Sequence, residues 1–428
     1  MQQKVVVLGA GLSGLSAAYH LNAECDIYEK NKEIGGLCRS IRIGGFTFDY
    51  GPHILYTIDP YASVLIKGLL KENLASRERE AWVFHDQFGC YTRFPFQGHL
   101  YGLPVEVVKE CILGLFNAKM ENGKPAPKDY YEWMERIFGK GITKHLMVPY
   151  AEKLWTIHPS GMNYDWIERR VPQPDIETIL SGALGELKER IGFNNDFWYP
   201  KNGGIYSLPE ALGKPIQRLH LNEEIVEIDC KRKTIISKTG AKEHYEKMIS
   251  SLPLPAVVGL IKDIPPNILS AAKNLQHNSI LCVNLGVNRP NISEKHWIYF
   301  YEKQFSFHRI SFQMNFSPTT VPEGMSSIST EVAYSQYKKI SKTNIIDRVV
   351  RDLIRAKILN KDDEIVVSDV KDIKYAYIIY DHNHRKNVGT VHEFLRKNNI
   401  FPCGRFGEWE YFNMDHSILS GKRVAETI

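Results

Sequence analysis

The chain has 428 residues, 43% hydrophobic and 24% charged, with a formal net charge of +5. This length predicts two or three lobes, and the mild basic excess suits an anionic small ligand while lacking the dense Lys/Arg runs of a nucleic-acid binder. Seven scattered cysteines without a Cys-x-x-Cys pair predict free thiols, no metal site and a cytoplasmic setting; no leader pattern opens the chain, and no apolar run reaches the ~18 residues of a membrane span.

Residues 4–8, KVVVL, are a continuous β-branched run, as a strand buried on both faces requires. Gly9-Ala10-Gly11-Leu12-Ser13-Gly14 follows at once, 15–21 reads as helix, and 26–28 is a second strand ending at Glu29, with Lys30 beside it. This is a dinucleotide-binding turn in its proper context. Gly9 permits the turn, Gly11 admits a pyrophosphate, Gly14 lets the helix pack on the strand, and the helix start at Leu12 and Ser13 offers N–H groups to phosphate. Glu29 can accept both ribose hydroxyls. Further on, Gly35-Gly36-Leu37 leads to Arg39, and an alternating run from Phe46 ends at the corner Gly51-Pro52-His53.

Residues 61–193 read as mainly helical, with periodic runs over 105–118 and 175–191. The first of these, although apolar, is interrupted by Glu106, Lys109 and Glu110, and so reads as a buried amphipathic helix. Strands are expected over 220–228, which includes Val226, and over 233–238. Residues 277–335 alternate and are rich in aromatics, as in an antiparallel sheet, and 344–359 reads as an amphipathic helix. Near the end, Gly404-Arg405 and Asn413-Met414-Asp415 precede a helix rich in small residues, with Ser417, Ser420 and Gly421. Such a helix start, with its positive dipole end, suits a group on which negative charge gathers.

Glycines 35 and 36 with Arg39 resemble the extended motif of FAD enzymes in the amine oxidase and protoporphyrinogen oxidase superfamily. GRFGEWEY and NMDHSILSG at the C-terminus, with GPHILYT at 51–57, resemble the UDP-galactopyranose mutases, especially the eukaryotic type. The segment 197–204, FWYPKNGG, matches that family's return to the flavin. Trp166 to Val171, and the stretch from Trp297 through Arg309 to Pro318, resemble the segments that carry its two diphosphate arginines.

The resemblance implies an α/β fold. A Rossmann-like FAD-binding domain of the GR2 type would take 1–60, 194–265 and 365–428, with a helical domain over 61–193 and an antiparallel-sheet substrate domain over 266–364. It implies non-covalent FAD, active when reduced, held by Gly9, Gly11, Leu12, Ser13, Gly14, Glu29, Lys30, Gly36, Leu37, Arg39, Gly51, Pro52, His53, Val226, Gly404, Arg405, Asn413, Met414, Asp415 and Ser417. It implies a nucleotide-diphosphate sugar bound by Arg170, Arg309, Tyr377 and Tyr411, with His53, Arg170 and Arg309 as the catalytic set. The reaction would interconvert pyranose and furanose forms, the reduced flavin N5 attacking the anomeric carbon, with NAD(P)H or a reductase supplying electrons. The alternative is an FAD oxidase or dehydrogenase of the same superfamily. Two departures bear on the substrate: His308 stands where the mutases have an aromatic residue, and the chain after Tyr377 reads IIYDHNHRKN.

Overall fold

The computed structural model describes residues 4–21, 24–120, 125–167, 170–187, 190–192 and 194–428. Glu168 and Arg169 of the first arginine motif, and parts of the periodic run 175–191, lie outside them.

The β-branched run Val5–Leu8 is fully buried and forms the centre of a five-stranded parallel sheet. Its order is Ile400–Pro402, Lys247–Ser250, Val5–Leu8, Cys25–Tyr28, Leu219–His220. Three separate stretches of chain therefore build one nucleotide-binding sheet. A three-stranded antiparallel sheet, Ile225–Asp229, Thr234–Ser237 and Lys242–His244, follows its edge strand. The final helix, Met414–Thr427, lies against the first, Leu12–His20. Ser16 Oγ donates to the Ile418 carbonyl at 2.6 Å, and a Cβ built on Gly421 would fall 2.3 Å from the Ser13 carbonyl oxygen. The small residues near the C-terminus are there to allow this approach.

The second layer is a seven-stranded sheet in the order Ile365–Ile378, His277–Val287, Ser326–Tyr334, Arg309–Ser311, Trp297–Phe300, Ala81–His85, Cys90–Arg93. All neighbours are antiparallel except Trp297–Phe300 with Ala81–His85. The amphipathic helix Ile345–Arg355 covers one face through Ile345, Val349 and Leu353.

The stretch 61–193 holds its expected helices together with the strands Leu74–Glu78, Ala81–His85 and Cys90–Arg93, the last two completing the large sheet. One expectation is corrected here. Residues 365–378, assigned by sequence to the FAD-binding lobe, form a 14-residue strand of that same sheet. A strand belongs to whichever sheet supplies its ladder partners, and those partners lie far away in sequence. All seven cysteines are free. No helix among the described residues is long and apolar enough to cross a membrane.

Candidate active site

The nucleotide end is built from backbone. A Cβ at Gly14 would lie 2.0 Å from the Gly9 carbonyl oxygen, so the helix can fold back on its own turn only with glycine there. The 35–36 loop closes onto this turn. Gly35 N donates to the Ala10 carbonyl at 2.8 Å, and a Cβ at Gly36 would sit 3.1 Å from Gly11 Cα. The result is a cradle without side chains beside the helix start at Leu12 and Ser13, the geometry a pyrophosphate needs. Arg39 is fixed at its rim, its Nε donating to the Gly36 carbonyl at 2.8 Å and its guanidinium 4.3 Å above the Tyr50 ring. Leu37 is half-buried next to it.

Glu29 is buried at the end of its strand. Its carboxylate accepts the Ala10 and Asn31 backbone N–H groups, each at 2.9 Å. Lys30 is exposed. The chain returns to this point when Glu223 N donates to the Glu29 carbonyl at 2.9 Å, which brings Val226, itself exposed, to the same corner three residues later.

At the other end, Gly51-Pro52-His53 turns the chain after the strand Phe46–Asp49. His53 Nδ1 lies 2.7 Å from the Gly51 carbonyl. A carbonyl can only accept, so Nδ1 carries the proton. Burial brings the His53 pKa down to about 4, and Arg405 and Arg309 push in the same direction. The ring is therefore neutral near pH 7 with Nε2 as an acceptor. Asp49, below the corner, is fully buried and raised to about 6 by that burial. Donors from Ser40 Oγ (2.6 Å), Tyr199 OH (2.8 Å) and Ile205 N (3.1 Å) oppose the rise. The last two tie the 197–204 segment, and Ile205 directly after it, to the same corner.

Beyond His53 lies a cluster of cations and phenols. The Arg405 guanidinium is 4.9 Å from the Tyr377 ring centre and 5.0 Å from that of Tyr411, and its buried Nε and Nη2 have no hydrogen-bond partner. Arg170 lies 5.1 Å from the Tyr411 ring, with Nη1 donating to the Trp166 carbonyl at 2.9 Å and Nη2 to the Tyr411 carbonyl. The Tyr377 and Tyr411 rings are 5.8 Å apart. Arg309 approaches Tyr377 from the large sheet, its Nε donating to the Glu331 carboxylate. Burial works against the Arg309 charge, but Glu331 and the nearby phenols hold its pKa well above the ordinary value. Burial pushes the Tyr377 hydroxyl up despite Arg309, so it stays protonated.

Asn413 precedes the final helix, Met414 and Asp415 open it buried, and Ser417 N donates to the Asn413 carbonyl at 3.0 Å. Gly404 N donates to Ser420 Oγ at 2.6 Å, locking the turn that carries Arg405 to that helix.

The structure thus gathers His53, Arg309, Arg405, Arg170, Tyr377 and Tyr411 in one place. It also adds residues the sequence reading gave no role. Trp155 faces both Tyr377 (5.7 Å) and Tyr411 (6.0 Å), and Tyr150 packs edge-on to Tyr299 at 5.4 Å beside Arg309. Glu331 carried one visible signal, a lone carboxylate in the middle of the buried strand Ser326–Tyr334.

The side-chain-free cradle, the buried acid at the strand end and the unpartnered nitrogens of Arg405 fit an FAD at one site stretching from Glu29 to His53. Fold and site together define a dinucleotide-binding enzyme of the two-layer flavoprotein class.

A family model described as flavin containing amine oxidoreductase matches residues 12–428, and the chain belongs to that family. Coproporphyrinogen III oxidase of Bacillus subtilis (strain 168) is 21% identical over 436 residues, covering 92% of this chain and 91% of that protein. Protoporphyrinogen oxidase 2 of Arabidopsis thaliana is 21% identical over 304 residues, 59% of this chain and 58% of that protein. A crystal structure of reduced UDP-galactopyranose mutase superposes with a TM-score of 0.95 at 27% identity, covering 100% of this chain and 93% of that one. Putrescine oxidase bound to putrescine shares the fold at a TM-score of 0.67 and 15% identity.

Proposed function

We propose that this protein is a flavin-dependent nucleotide-sugar mutase of the UDP-galactopyranose mutase kind, interconverting pyranose and furanose forms. The observation that carries the reading is the cluster of Arg170, Arg309 and Arg405 around Tyr377 and Tyr411, next to the His53 corner of the dinucleotide site. The likeness to reduced UDP-galactopyranose mutase supports it.

FAD, bound and reduced, supplies a nucleophilic nitrogen for the anomeric carbon. The chain's own residues do the rest. Arg170 and Arg309 take the diphosphate oxygens, for which a guanidinium fork is well shaped. As the bond from anomeric carbon to diphosphate breaks, negative charge grows on the leaving oxygen, and these cations hold it in place for its return. Tyr377, kept protonated, donates to the same oxygens, and Tyr411 is placed to do so. Neutral His53 offers Nε2 as an acceptor at the flavin side. The wall of Trp155, Tyr150 and Tyr299 keeps water from the departing group, which favours return over hydrolysis. No protein base has to remove a proton from carbon, in keeping with a site rich in donors.

The test is turnover of a panel of UDP- and dTDP-sugars by protein loaded with FAD and reduced with dithionite. Furanose products should form with no net consumption of reductant, and denaturation should release free FAD. Equal activity with oxidised flavin would sink the reading. A second reading, an oxidase, is favoured by the identity to the two porphyrinogen oxidases. It predicts oxygen uptake with a porphyrinogen and no sugar product.

A further inference from the structure

Arg309 is the cation of the cluster whose mounting is fully visible, an acidic partner on the neighbouring strand. Arg309 and Glu331 are directly opposed residues of two antiparallel strands, Arg309–Ser311 and Ser326–Tyr334, so their side chains leave the sheet on the same face. The Glu331 side chain is 5% exposed and that of Arg309 22%. Glu331 accepts from Arg309 Nε, the inner edge of the guanidinium, so the carboxylate contact does not consume the two terminal nitrogens.

Two neighbours keep Glu331 in place. The corner that carries His53 lies over it, since a Cβ on Gly51 would be 3.8 Å from Glu331 Oε1. His308, 1% exposed, has its Nε2 3.9 Å from Glu331 Oε2. A carboxylate confined on three sides, holding one edge of a guanidinium, is a mount.

Resting on the diphosphate reading above, we infer that Glu331 is a positioning residue: it fixes the Arg309 fork toward the diphosphate and does not itself touch substrate. A rigid fork loses less freedom on binding than a mobile one, so the mount contributes to affinity and to holding the leaving group. A carboxylate so near an anion site also opposes anion binding by simple repulsion. Orientation and charge therefore make opposite demands, and two mild substitutions separate them.

Glu331→Asp keeps the charge but shortens the reach by one methylene, withdrawing the fork. Glu331→Gln keeps the reach and an oxygen acceptor for Nε but removes the charge. In the FAD-loaded full chain, calorimetric titration with UDP should show about tenfold weaker binding for Glu331→Asp. Glu331→Gln should stay within about threefold of the parent or bind more tightly. The flavin spectrum should be unchanged in both. Combined with Arg309→Ala, Glu331→Asp should add no further loss, because there is no fork left to mount.

The inference is overturned if Glu331→Asp binds UDP normally, if Glu331→Gln loses as much as Glu331→Asp, or if the Glu331→Asp loss persists in the Arg309→Ala background. Failure of the FAD-loaded parent itself to bind UDP overturns the diphosphate reading and this inference with it. The first three outcomes leave that reading standing.

Discussion

Arg170 reaches Tyr411 and Arg309 reaches Tyr377 by different routes, and this makes the two arginines unequal. Arg309 stands on a buried strand and is held through a carboxylate. Arg170 leaves an irregular segment and is held by two main-chain carbonyls, one of them that of Tyr411 itself. A charge-assisted contact to phosphate is worth roughly 1.5–3 kcal/mol, so Arg170→Ala or Arg309→Ala should weaken UDP binding by about ten- to a hundredfold. The flavin spectrum should survive both changes, since neither side chain belongs to the Gly9–Gly14 turn or the 35–36 loop. Arg170→Ala should also free the Tyr411 segment, raising its amide exchange, whereas Arg309→Ala should not. Calorimetry and hydrogen exchange check the two parts, and unchanged UDP affinity in both variants would remove the clamp.

At the level of elements, the site depends on two helices separated by almost the whole chain. Leu12–His20 and Met414–Thr427 touch through Ser13, Ser16, Ile418 and Gly421, with backbone close to backbone. The first helix presents its start to the phosphates. The second joins the Gly404-Arg405 turn through Ser420. A methyl at Gly421 has nowhere to go, because the obstacles are the Ser13 carbonyl and the Ala17 amide nitrogen. Gly421→Ala should therefore cost about 1–3 kcal/mol of stability and lower the share of molecules that keep FAD on purification. Thermal melting and the ratio of flavin to protein absorbance are the measurements. Unaltered values in both would contradict the backbone-to-backbone contact of the two helices at Gly421.

Across the molecule, burial sets the response to acid. It brings His53, His85, His99, His296 and His384 each down to about 4. In the unfolded chain they titrate near 6.5. Their folded pKa is the lower one, so unfolding takes up protons in the window from about 6.5 to 4. The stability they confer is complete above that window and is lost as pH falls through it. Asp49 acts the other way, its raised value of about 6 favouring the folded state as pH falls. Asp381 is also raised by burial, but five lowered histidines outweigh two raised aspartates, so the melting temperature should fall between pH 6.5 and 4.5. A flat profile over that range would contradict the burial of these rings.

What the sequence determined by itself is local. The Gly9–Gly14 turn with Glu29, the Gly35-Gly36 loop and the His53 corner are short-range arrangements in which glycine, proline and strand patterning restrict the backbone directly, and they were legible as written. The helices Val105–Met120 and Ile345–Arg355 were legible for the same reason, from their period. The tertiary structure decided what depends on distant partners. It placed Ile365–Ile378 and Ala81–His85 in the large sheet, because a strand's ladder cannot be read from the strand alone. It set Arg405 against Tyr377 and Tyr411 and Arg309 on Glu331, pairs whose members come from separate segments of the chain. A sequence can show that an arginine is present, but the direction of its fork is set by the buried carboxylate that holds it.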